Sequence, residues 1–203
     1  MPLSGGLFSG LSVVVPVKSD EDPQWLTDLI AVARYEANEI VIVLEARADP
    51  TAIRPALGAF GEKVRLVYQN GDTKAHALNT GLREAKNQFV VFLDADVQLQ
   101  SGQLSIVRDM LEEDEFVSVA SGGHAPSFPV FGFVAGWFFG AKRSTFIEVG
   151  GWAEGFVEDV ETAKAILRSG HRIKIAPFAV RLRRPVRRSL TKFLSVVAGG
   201  GRR

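Results

Sequence analysis

The sequence predicts an α/β fold in which a mostly parallel β-sheet is covered by helices on both faces. Short apolar runs rich in β-branched residues alternate with segments of helical periodicity, in the order βαβαβαβ. The apolar runs are continuous rather than alternating, which is typical of parallel strands buried on both faces. The chain has 203 residues, 46% of them hydrophobic, which is enough for one core and favours a single main domain.

The first half of the chain contains the regular part of this pattern. Asp22 and Pro23 supply the N-cap and the first turn of a helix that is expected to run to about Ala37. Two further helices are expected at residues 51–59 and 74–85. Ligands bind outside the carboxyl ends of the strands in such sheets, so the polar residues directly after each strand form the candidate site. The four predicted strands are Leu11–Val17, Glu39–Leu44, Val64–Tyr68 and Phe89–Leu93.

The second half of the chain is less regular. A helix capped by Ser101 is expected to end near Glu113. The longest apolar stretch, residues 128–141, is shorter than the ~20 residues of a membrane-spanning helix, so we expect it to be buried or interfacial. The remaining predicted elements are strands at residues 116–120 and 172–176 and helices at residues 144–149 and 160–168.

The composition excludes several classes of site. The chain has no cysteine, which rules out disulfides, thiolate metal sites and thiol nucleophiles. Its first ten residues lack the basic start and long apolar run of a secretory signal. We therefore expect a cytoplasmic location, with the inner face of the membrane as an option.

Charge is distributed unevenly along the chain. Residues 1–161 carry 12 basic and 23 acidic side chains, whereas residues 162–203 carry 12 basic and none acidic. We treat residues 181–203 as a basic tail after a main domain at residues 1–180. The tail suits either the surface of an anionic membrane, where each basic side chain contributes ~1 kcal/mol, or a solvated terminal helix. No nucleic-acid-binding motif accompanies the charge, so no nucleic-acid partner is expected.

Two carboxylates at the end of the fourth strand are the sharpest chemical signal. Asp94 and Asp96 are two residues apart, so on an extended chain both side chains point the same way. Together they can address one hard cation and leave positions for water and diphosphate oxygens. The alternative is a turn in which Asp96 only caps the next segment, and the tripeptide alone does not distinguish the two.

A second acidic cluster lies at a predicted junction between a loop and a helix. Glu158 and Asp159 stand where the helix dipole favours negative charge, which is typical of a simple N-terminal cap. Either carboxylate could instead act as a base that removes a proton from an acceptor hydroxyl. Both interpretations stay open from these residues alone.

In this order the motifs resemble family 2 glycosyltransferases of the GT-A fold, over residues 11–177. The resemblance implies a nucleotide-sugar donor and a divalent metal, with residues 1–180 as the catalytic domain. Five segments carry it: Ser12-Val-Val-Val-Pro16-Val, Glu39-Ile-Val-Ile-Val-Leu-Glu45, Lys74-Ala-His-Ala-Leu-Asn79-Thr-Gly81, Asp94-Ala-Asp96, and Gly150-Gly-Trp152 with Glu158-Asp159.

The resemblance also implies a role for each matching residue. Asp96 is the main contact of Mn²⁺ or Mg²⁺ and the diphosphate, and Asp94 lies near the ribose or the metal. Asp159 is the base of an inverting displacement, and Glu158 supports it. The donor is a UDP-, GDP- or dTDP-sugar. Its implied contacts are Pro16, Val17, Asp20 (or Glu21), Glu45, Lys74, Asn79, Asp94, Ala95 and Asp96.

Gly151 and Trp152 belong to the implied acceptor loop, and the acceptor is a glycan or a lipid-linked molecule. Trp152 is a candidate for stacking on a sugar ring. Lys74 either reaches a phosphate or is solvated, and Asn79 either bridges to the Asp94 loop or is exposed. No histidine has a metal-ligand spacing.

Two departures from the family pattern limit the prediction. Glu45 is followed by Ala46 and Arg47 where the family has paired aspartates, so the base and the sugar of the donor stay open. The Gln-x-x-Arg-Trp motif of processive members is absent, which favours a single transfer. The alternative function is a non-catalytic nucleotide- or glycan-binding scaffold of a membrane glycosylation complex.

Overall fold

A computed structural model describes residues 10–46, 48–52, 54, 58, 61–121, 134–155 and 158–184. Short 3₁₀ turns lie at Pro50–Ala52 and Gly61–Lys63. The helices are α1 Pro23–Ala33, α2 Lys74–Glu84, α3 Gln103–Glu113, α4 Arg143–Glu148 and α5 Glu158–Arg168. The strands are β1 Leu11–Val17, β2 Glu39–Leu44, β3 Val64–Tyr68, β4 Phe89–Leu93, β5 Val97–Gln98, β6 Phe116–Ser121, β7 Phe138–Lys142 and β8 Lys174–Leu182.

The described strands form one mixed sheet in the order β3-β2-β1-β4-β7-β6-β8-β5. The first four strands of the sheet, β3, β2, β1 and β4, are all parallel. Strand β7 is antiparallel to both β4 and β6, whereas β8 is parallel to β6. Strand β5 pairs antiparallel with the end of β8, so the segment just after β4 meets the end of the last strand.

Helices cover both faces of the parallel half, as the continuous apolar runs predict. On one face, Val13 and Val15 of β1 share a buried cluster with Leu26 of α1. On the other face, Val14 shares a cluster with residues of α2. A Cβ on Gly81 would lie 2.1 Å from Val14 Cγ1, so only glycine lets α2 approach β1 this closely.

Glu39 links residues at the amino ends of the parallel strands. We call this side of the sheet its amino edge, and the side at which these strands end its carboxyl edge. One carboxylate oxygen accepts hydrogen bonds from Ser12 Oγ at 2.8 Å and Lys86 N at 3.0 Å, and the other accepts from Arg65 Nε at 2.9 Å. Burial raises the pKa of Glu39, but these hydrogen bonds and the Arg65 charge outweigh it and lower the pKa overall. The carboxylate is therefore fully satisfied in its charged form.

The sequence-based strands of the first half are confirmed, and some boundaries elsewhere are corrected. Helix α1 ends at Ala33 rather than Ala37, because the chain turns at residues 34–36. Helix α2 ends at Glu84, one residue before the predicted end. The helix predicted at residues 51–59 falls largely outside the described residues. Two strands, β5 and β7, were not predicted; β7 lies in the long apolar stretch, whose residues 128–133 are not described.

Ser101 does not cap α3, which corrects the prediction. The helix begins at Gln103, and Gly102 precedes it in a left-handed conformation with φ +88°. The carboxylate of Glu36 accepts from the N–H groups of Gly102 at 2.7 Å and Ser105 at 2.8 Å. A side chain 66 residues earlier therefore satisfies the start of this helix, and no local pattern reveals it.

The predicted boundary between residues 180 and 181 lies inside β8. That strand starts two residues later than predicted, at Lys174, and continues to Leu182 instead of ending at residue 176. Arg183 then forms a 2.7 Å ion pair with Asp28. The tail prediction for residues 185–203 falls outside the described residues. Within the described part of the chain, no helix is long and apolar enough to cross a membrane.

Candidate active site

A polar cleft of about 320 Å³ opens at the carboxyl edge of the parallel strands. This is the edge at which open α/β sheets bind ligands, and the volume suits a small molecule. Turns after β1, β2, β3 and β4 form its walls, together with the residue two positions after β8. The lining residues are Pro16, Val17, Lys18, Glu21, Glu45, Gln69, Asp72, Thr73, Lys74, Ala77, Asp94, Ala95, Asp96 and Arg184.

Lys74 and Asp94 form an ion pair inside the cleft. Lys74 Nζ lies 2.6 Å from Asp94 Oδ1 and 2.8 Å from Oδ2, and it also donates to the Gly136 carbonyl at 3.0 Å. Burial lowers the pKa of Lys74, but the Asp94 charge and hydrogen bond, with Glu158 and Asp159, raise it overall. Lys74 is thus a paired cation that is partly exposed to the cleft and engaged with Asp94 and the Gly136 carbonyl.

The local structure around Lys74 fixes its backbone. Lys74 is the first residue of α2, and Thr73 caps that helix by accepting from His76 N at 3.2 Å. Asp94 is held in turn by its N–H, which donates to the Trp137 carbonyl at 3.0 Å. The ion pair therefore joins the start of α2 to the turn after β4.

Two effects disfavour the charged form of Asp96. Burial and the neighbouring Asp94 charge raise the pKa of Asp96, and a hydrogen bond from the Arg184 backbone together with the Arg184 and Lys74 charges only partly offsets them. The peptide oxygen of Asp96 accepts from Arg183 N at 2.9 Å. The end of β8 is thereby fastened onto the Asp96 turn.

Arg184 is a cleft residue that the sequence assigned to the basic tail. Its guanidinium lies 3.1 Å from Glu21 and stacks over Trp25, with 5.3 Å between Cζ and the ring centroid. Burial raises the pKa of Glu21, and the charges of Asp96 and Asp94 add to this against the Arg184 charge. A single arginine thus counters the negative charge on one side of the cleft.

The second acidic cluster stands at the start of α5, next to Lys74. Burial and the adjacent Glu158 raise the pKa of Asp159, against a hydrogen bond from Val160 N and the Lys74 charge. A Cβ on Gly136 would lie 3.8 Å from both Asp159 Oδ2 and Lys74 Nζ. Asp159 and Lys74 therefore flank the same glycine, and both acidic clusters act on one lysine.

Asn79 and Trp152 differ from their predicted roles. Asn79 Nδ2 donates to the Trp152 carbonyl at 2.8 Å and Oδ1 accepts from Trp152 N at 2.9 Å, so the amide holds the turn at Gly151 and Trp152 and does not line the cleft. The Trp152 ring is 1% exposed and packs edge-on against Phe92, which leaves no face for a sugar. A Cβ on Gly151 would lie 2.6 Å from Asn79 Oδ1, so glycine is needed there.

Most of the predicted donor contacts meet in the cleft. Pro16, Val17, Glu45, Lys74, Asp94, Ala95 and Asp96 line it. Asp20 does not; its carbonyl accepts from Arg184 Nη2 at 3.4 Å, and Glu45 accepts from Ser19 N at 3.2 Å. The unpredicted lining residues mostly follow β1 and β3, where the strand-end rule could have found them. Arg184 had no such local signal. The lining residues that the sequence did not predict are Lys18, Gln69, Asp72, Thr73, Ala77 and Arg184, whereas Glu21, the alternative to Asp20, does line the cleft.

Asp94 and Asp96 would supply only part of the coordination shell of a divalent cation, which an anionic ligand would complete. No group of three or more His, Asp or Glu side chains forms a complete metal site in the part of the chain that the structure describes. Asp94 and Asp96 both line the cleft, and their mutual repulsion would be relieved by a cation. Mg²⁺ and similar ions commonly use one or two carboxylates and complete their coordination with water and phosphate oxygens.

Comparison with known proteins places the chain among sugar transferases. The model of the family described as Glycosyl transferase family 2 matches residues 12–173, which is most of the chain. No curated protein sequence matches the chain.

Three solved structures have a similar fold. The first is a mannosyltransferase, PcManGT, from Pyrobaculum calidifontis in complex with GDP-Man and Mn²⁺, with a TM-score of 0.71 and 23% identity over 88% of this chain and 58% of that one. The second is glucosyl-3-phosphoglycerate synthase from Mycobacterium tuberculosis with Mg²⁺ and UDP, at TM-score 0.68 and 17% identity, covering 94% and 80%. The third is GalNAc-T7 with UDP, GalNAc and Mn²⁺, at TM-score 0.68 and 14% identity, covering 87% and 44%.

Proposed function

From the premise that the chain belongs to glycosyl transferase family 2, we propose that it moves a sugar from a nucleotide-diphosphate sugar to an acceptor hydroxyl in one inverting, metal-assisted transfer. The predicted GT-A fold is confirmed by the family match and the similar structures. One observation carries the proposal: Asp94, Asp96 and Lys74 line a single cleft, and Lys74 joins them electrostatically to Asp159.

The chemistry divides between the two acidic clusters. Asp159 accepts the proton of the acceptor hydroxyl, whose oxygen attacks the anomeric carbon. The bond from that carbon to the diphosphate breaks, and the nucleoside diphosphate leaves with the electron pair. The raised pKa of Asp159 suits a base, because a more basic carboxylate accepts the proton more readily. Glu158 supports Asp159 by raising its pKa.

Positive charge on the other side of the reaction stabilises the leaving group. A divalent cation, Mn²⁺ or Mg²⁺, held by Asp96 and Asp94 would neutralise the charge that develops on the departing diphosphate. Arg184 and Lys74 add two cationic side chains to the same cleft. Fixed charges that face a developing charge are a large source of rate acceleration in enzymes.

The class of the donor has more support than the identity of the acceptor. The solved neighbours bind GDP-mannose, UDP or UDP with GalNAc, so a nucleotide-sugar donor is supported in class. The predicted donors are UDP-, GDP- and dTDP-sugars, because Glu45 departs from the family pattern. The predicted acceptor is a glycan or a lipid-linked molecule, and contact with the cytoplasmic membrane face stays a prediction about residues beyond Arg184.

Nucleotide release from a panel of these donors tests the proposal. We expect release with Mn²⁺ or Mg²⁺, loss of release with EDTA, and a fall of at least about 100-fold in Asp96→Asn. Asp109→Asn is the matched control, since Asp109 is an exposed carboxylate of α3 outside the cleft. Metal-dependent nucleotide binding without release from any donor, across a panel of glycan and lipid acceptors, would contradict the proposal and favour the scaffold.

A further inference from the structure

Lys74 contacts the oxygens that a cation on Asp94 would use. Its ammonium is 2.6 Å from one carboxylate oxygen and 2.8 Å from the other, so one cation already engages both. Divalent cations bind carboxylates through the same oxygens. A metal ion and Lys74 therefore compete for Asp94.

We propose that Lys74 is a resident counter-ion that weakens binding of the divalent cation until a nucleoside diphosphate enters the cleft. The idea rests on the proposed function for its ligands, and it adds a binding order to that function. The diphosphate supplies oxygen ligands for the metal and an alternative partner for the lysine. Metal and nucleotide then bind cooperatively, each assisting the other by the same factor.

The surroundings of the pair allow it to open. The side chains of Lys74 and Asp94 are each 28% exposed to the cleft, so the ammonium can turn toward a ligand without crossing the core. Lys74 also donates to the Gly136 carbonyl at 3.0 Å, a contact that does not depend on Asp94. The helix cap at Thr73 fixes the backbone, which leaves the movement to the lysine side chain.

A purely structural ion pair gives the opposite expectation for metal binding. If Lys74 only held Asp94 in place, its removal would disorder a metal ligand and weaken the affinity for the ion. If Lys74 competes for Asp94, its removal frees both oxygens and strengthens the affinity. The sign of the change in metal affinity therefore separates the two roles.

Mn²⁺ binding in the absence of nucleotide, measured by electron paramagnetic resonance or calorimetry, is the direct test. We expect Lys74→Gln to bind Mn²⁺ about tenfold more tightly than the wild type, from the loss of one charge-assisted pair. Lys74→Arg keeps the competing charge and is expected to bind as weakly as the wild type. Asp94→Asn in the Lys74→Gln background should remove the gain.

Lys18→Gln is the matched control, because Lys18 lines the same cleft and no ion pair joins it to Asp94. We expect it to change Mn²⁺ affinity less than threefold, since the charge that is lost is exposed to solvent and screened by salt. An equal gain in Lys18→Gln, or an unchanged or weaker affinity in Lys74→Gln, would overturn the proposal. Thermal unfolding checks each variant; should Lys74→Gln fold poorly, Lys74→Met removes the same charge with an apolar chain of similar length.

A second arm measures cooperativity. In the wild type, a saturating nucleoside diphosphate should raise Mn²⁺ affinity, and in Lys74→Gln the factor should fall by the tenfold already gained. An equal factor in both proteins would count against the competition. The first arm uses Mn²⁺ alone and does not depend on nucleotide release. Failure to release nucleotide would therefore contradict the proposed function, while the competition between Lys74 and the metal could still be tested.

Discussion

The two edges of the parallel sheet treat carboxylates in opposite ways. At the amino edge, Glu39 accepts three hydrogen bonds and faces Arg65, and its pKa is lowered. At the carboxyl edge, burial and like charges raise the pKa of Glu21, Asp96 and Asp159. The same chemical group is therefore stabilised in its charged form on one side of the protein and destabilised on the other.

This difference separates folding from function. A carboxylate with a lowered pKa adds stability at neutral pH, because the folded state favours its charged form. Carboxylates with raised pKa values cost stability, and such groups are concentrated at sites that bind ligands or catalyse reactions. The amino edge therefore stabilises the fold, and under the proposed function the carboxyl edge would hold a cation and accept a proton.

The largest expected effect is on catalysis at the carboxyl edge. Asp159→Asn should lower the rate of sugar transfer about 10²- to 10⁴-fold, because the amide cannot accept the acceptor proton. Steady-state kinetics should show the loss in kcat, with a small change in KM for the donor. Glu161→Gln, on the exposed side of the same helix turn, is the control. A loss below tenfold would remove Asp159 as the base.

The next effect is on stability at the amino edge. Glu39→Gln should lower the free energy of unfolding by about 2 kcal/mol, because a buried network loses its negative charge and one of its two acceptor oxygens. Denaturant unfolding measures it, and nucleotide release should be unchanged. Glu84→Gln removes a longer, exposed pair with Arg65 and should cost less than about 0.5 kcal/mol. Equal losses in the free energy of unfolding of Glu39→Gln and Glu84→Gln would contradict a special stabilising role for Glu39.

Two asparagine substitutions, one near the site and one at the amino edge, test the same comparison and should have smaller effects. Asn79→Ala removes both hydrogen bonds to the Trp152 backbone and should cost about 1–2 kcal/mol while also slowing transfer. Asn87→Ala removes one hydrogen bond to Ser12 at the amino edge and should cost about 1 kcal/mol or less. Activity measured beside unfolding distinguishes them. An unchanged rate of transfer in Asn79→Ala would show that the loop around Trp152 does not contribute to the site.

Sequence patterns predicted the parallel half of the molecule and the place of Asp94 and Asp96 after its fourth strand. Strands such as Phe89–Leu93 are continuous apolar runs, and Asp94 follows one directly, so both are visible locally. The position of Arg184 was not visible, because it depends on the pairing of β8 with β5 and β6, which are distant in sequence. The same holds for Glu36, which caps α3 from 66 residues away.

Two side chains near the site have surroundings that the sequence did not reveal. Trp152 was expected to face a sugar, but its ring completes an aromatic cluster with Phe92, Phe139 and Phe146. Lys74 follows a helix cap, where lysine is usually solvated, yet its partner Asp94 lies 20 residues later in the chain. Burial and pairing of this kind depend on tertiary contacts, which residue type and spacing do not specify.

The dependence of stability on pH tests the central contrast most directly. We would measure the free energy of unfolding of the wild type, Glu39→Gln and Asp159→Asn from neutral to acidic pH. Wild-type Glu39 contributes stability above its unfolded pKa of about 4.3, and this is lost as the pH falls through its lower folded value. For Asp159 the penalty is full above its raised folded pKa and disappears below the unfolded value of about 3.9.

Changes in stability of opposite sign are therefore expected at pH 7. Glu39→Gln should be less stable than the wild type, and Asp159→Asn should be more stable, by up to about 1 kcal/mol. The Asp159 difference should disappear between its raised folded pKa and the unfolded value of about 3.9, whereas the Glu39 difference should shrink below about 4.3 and vanish below its lowered folded pKa. Destabilisation of both variants at pH 7, or differences that do not change with pH, would contradict the division of the sheet into a structural edge and a reactive one.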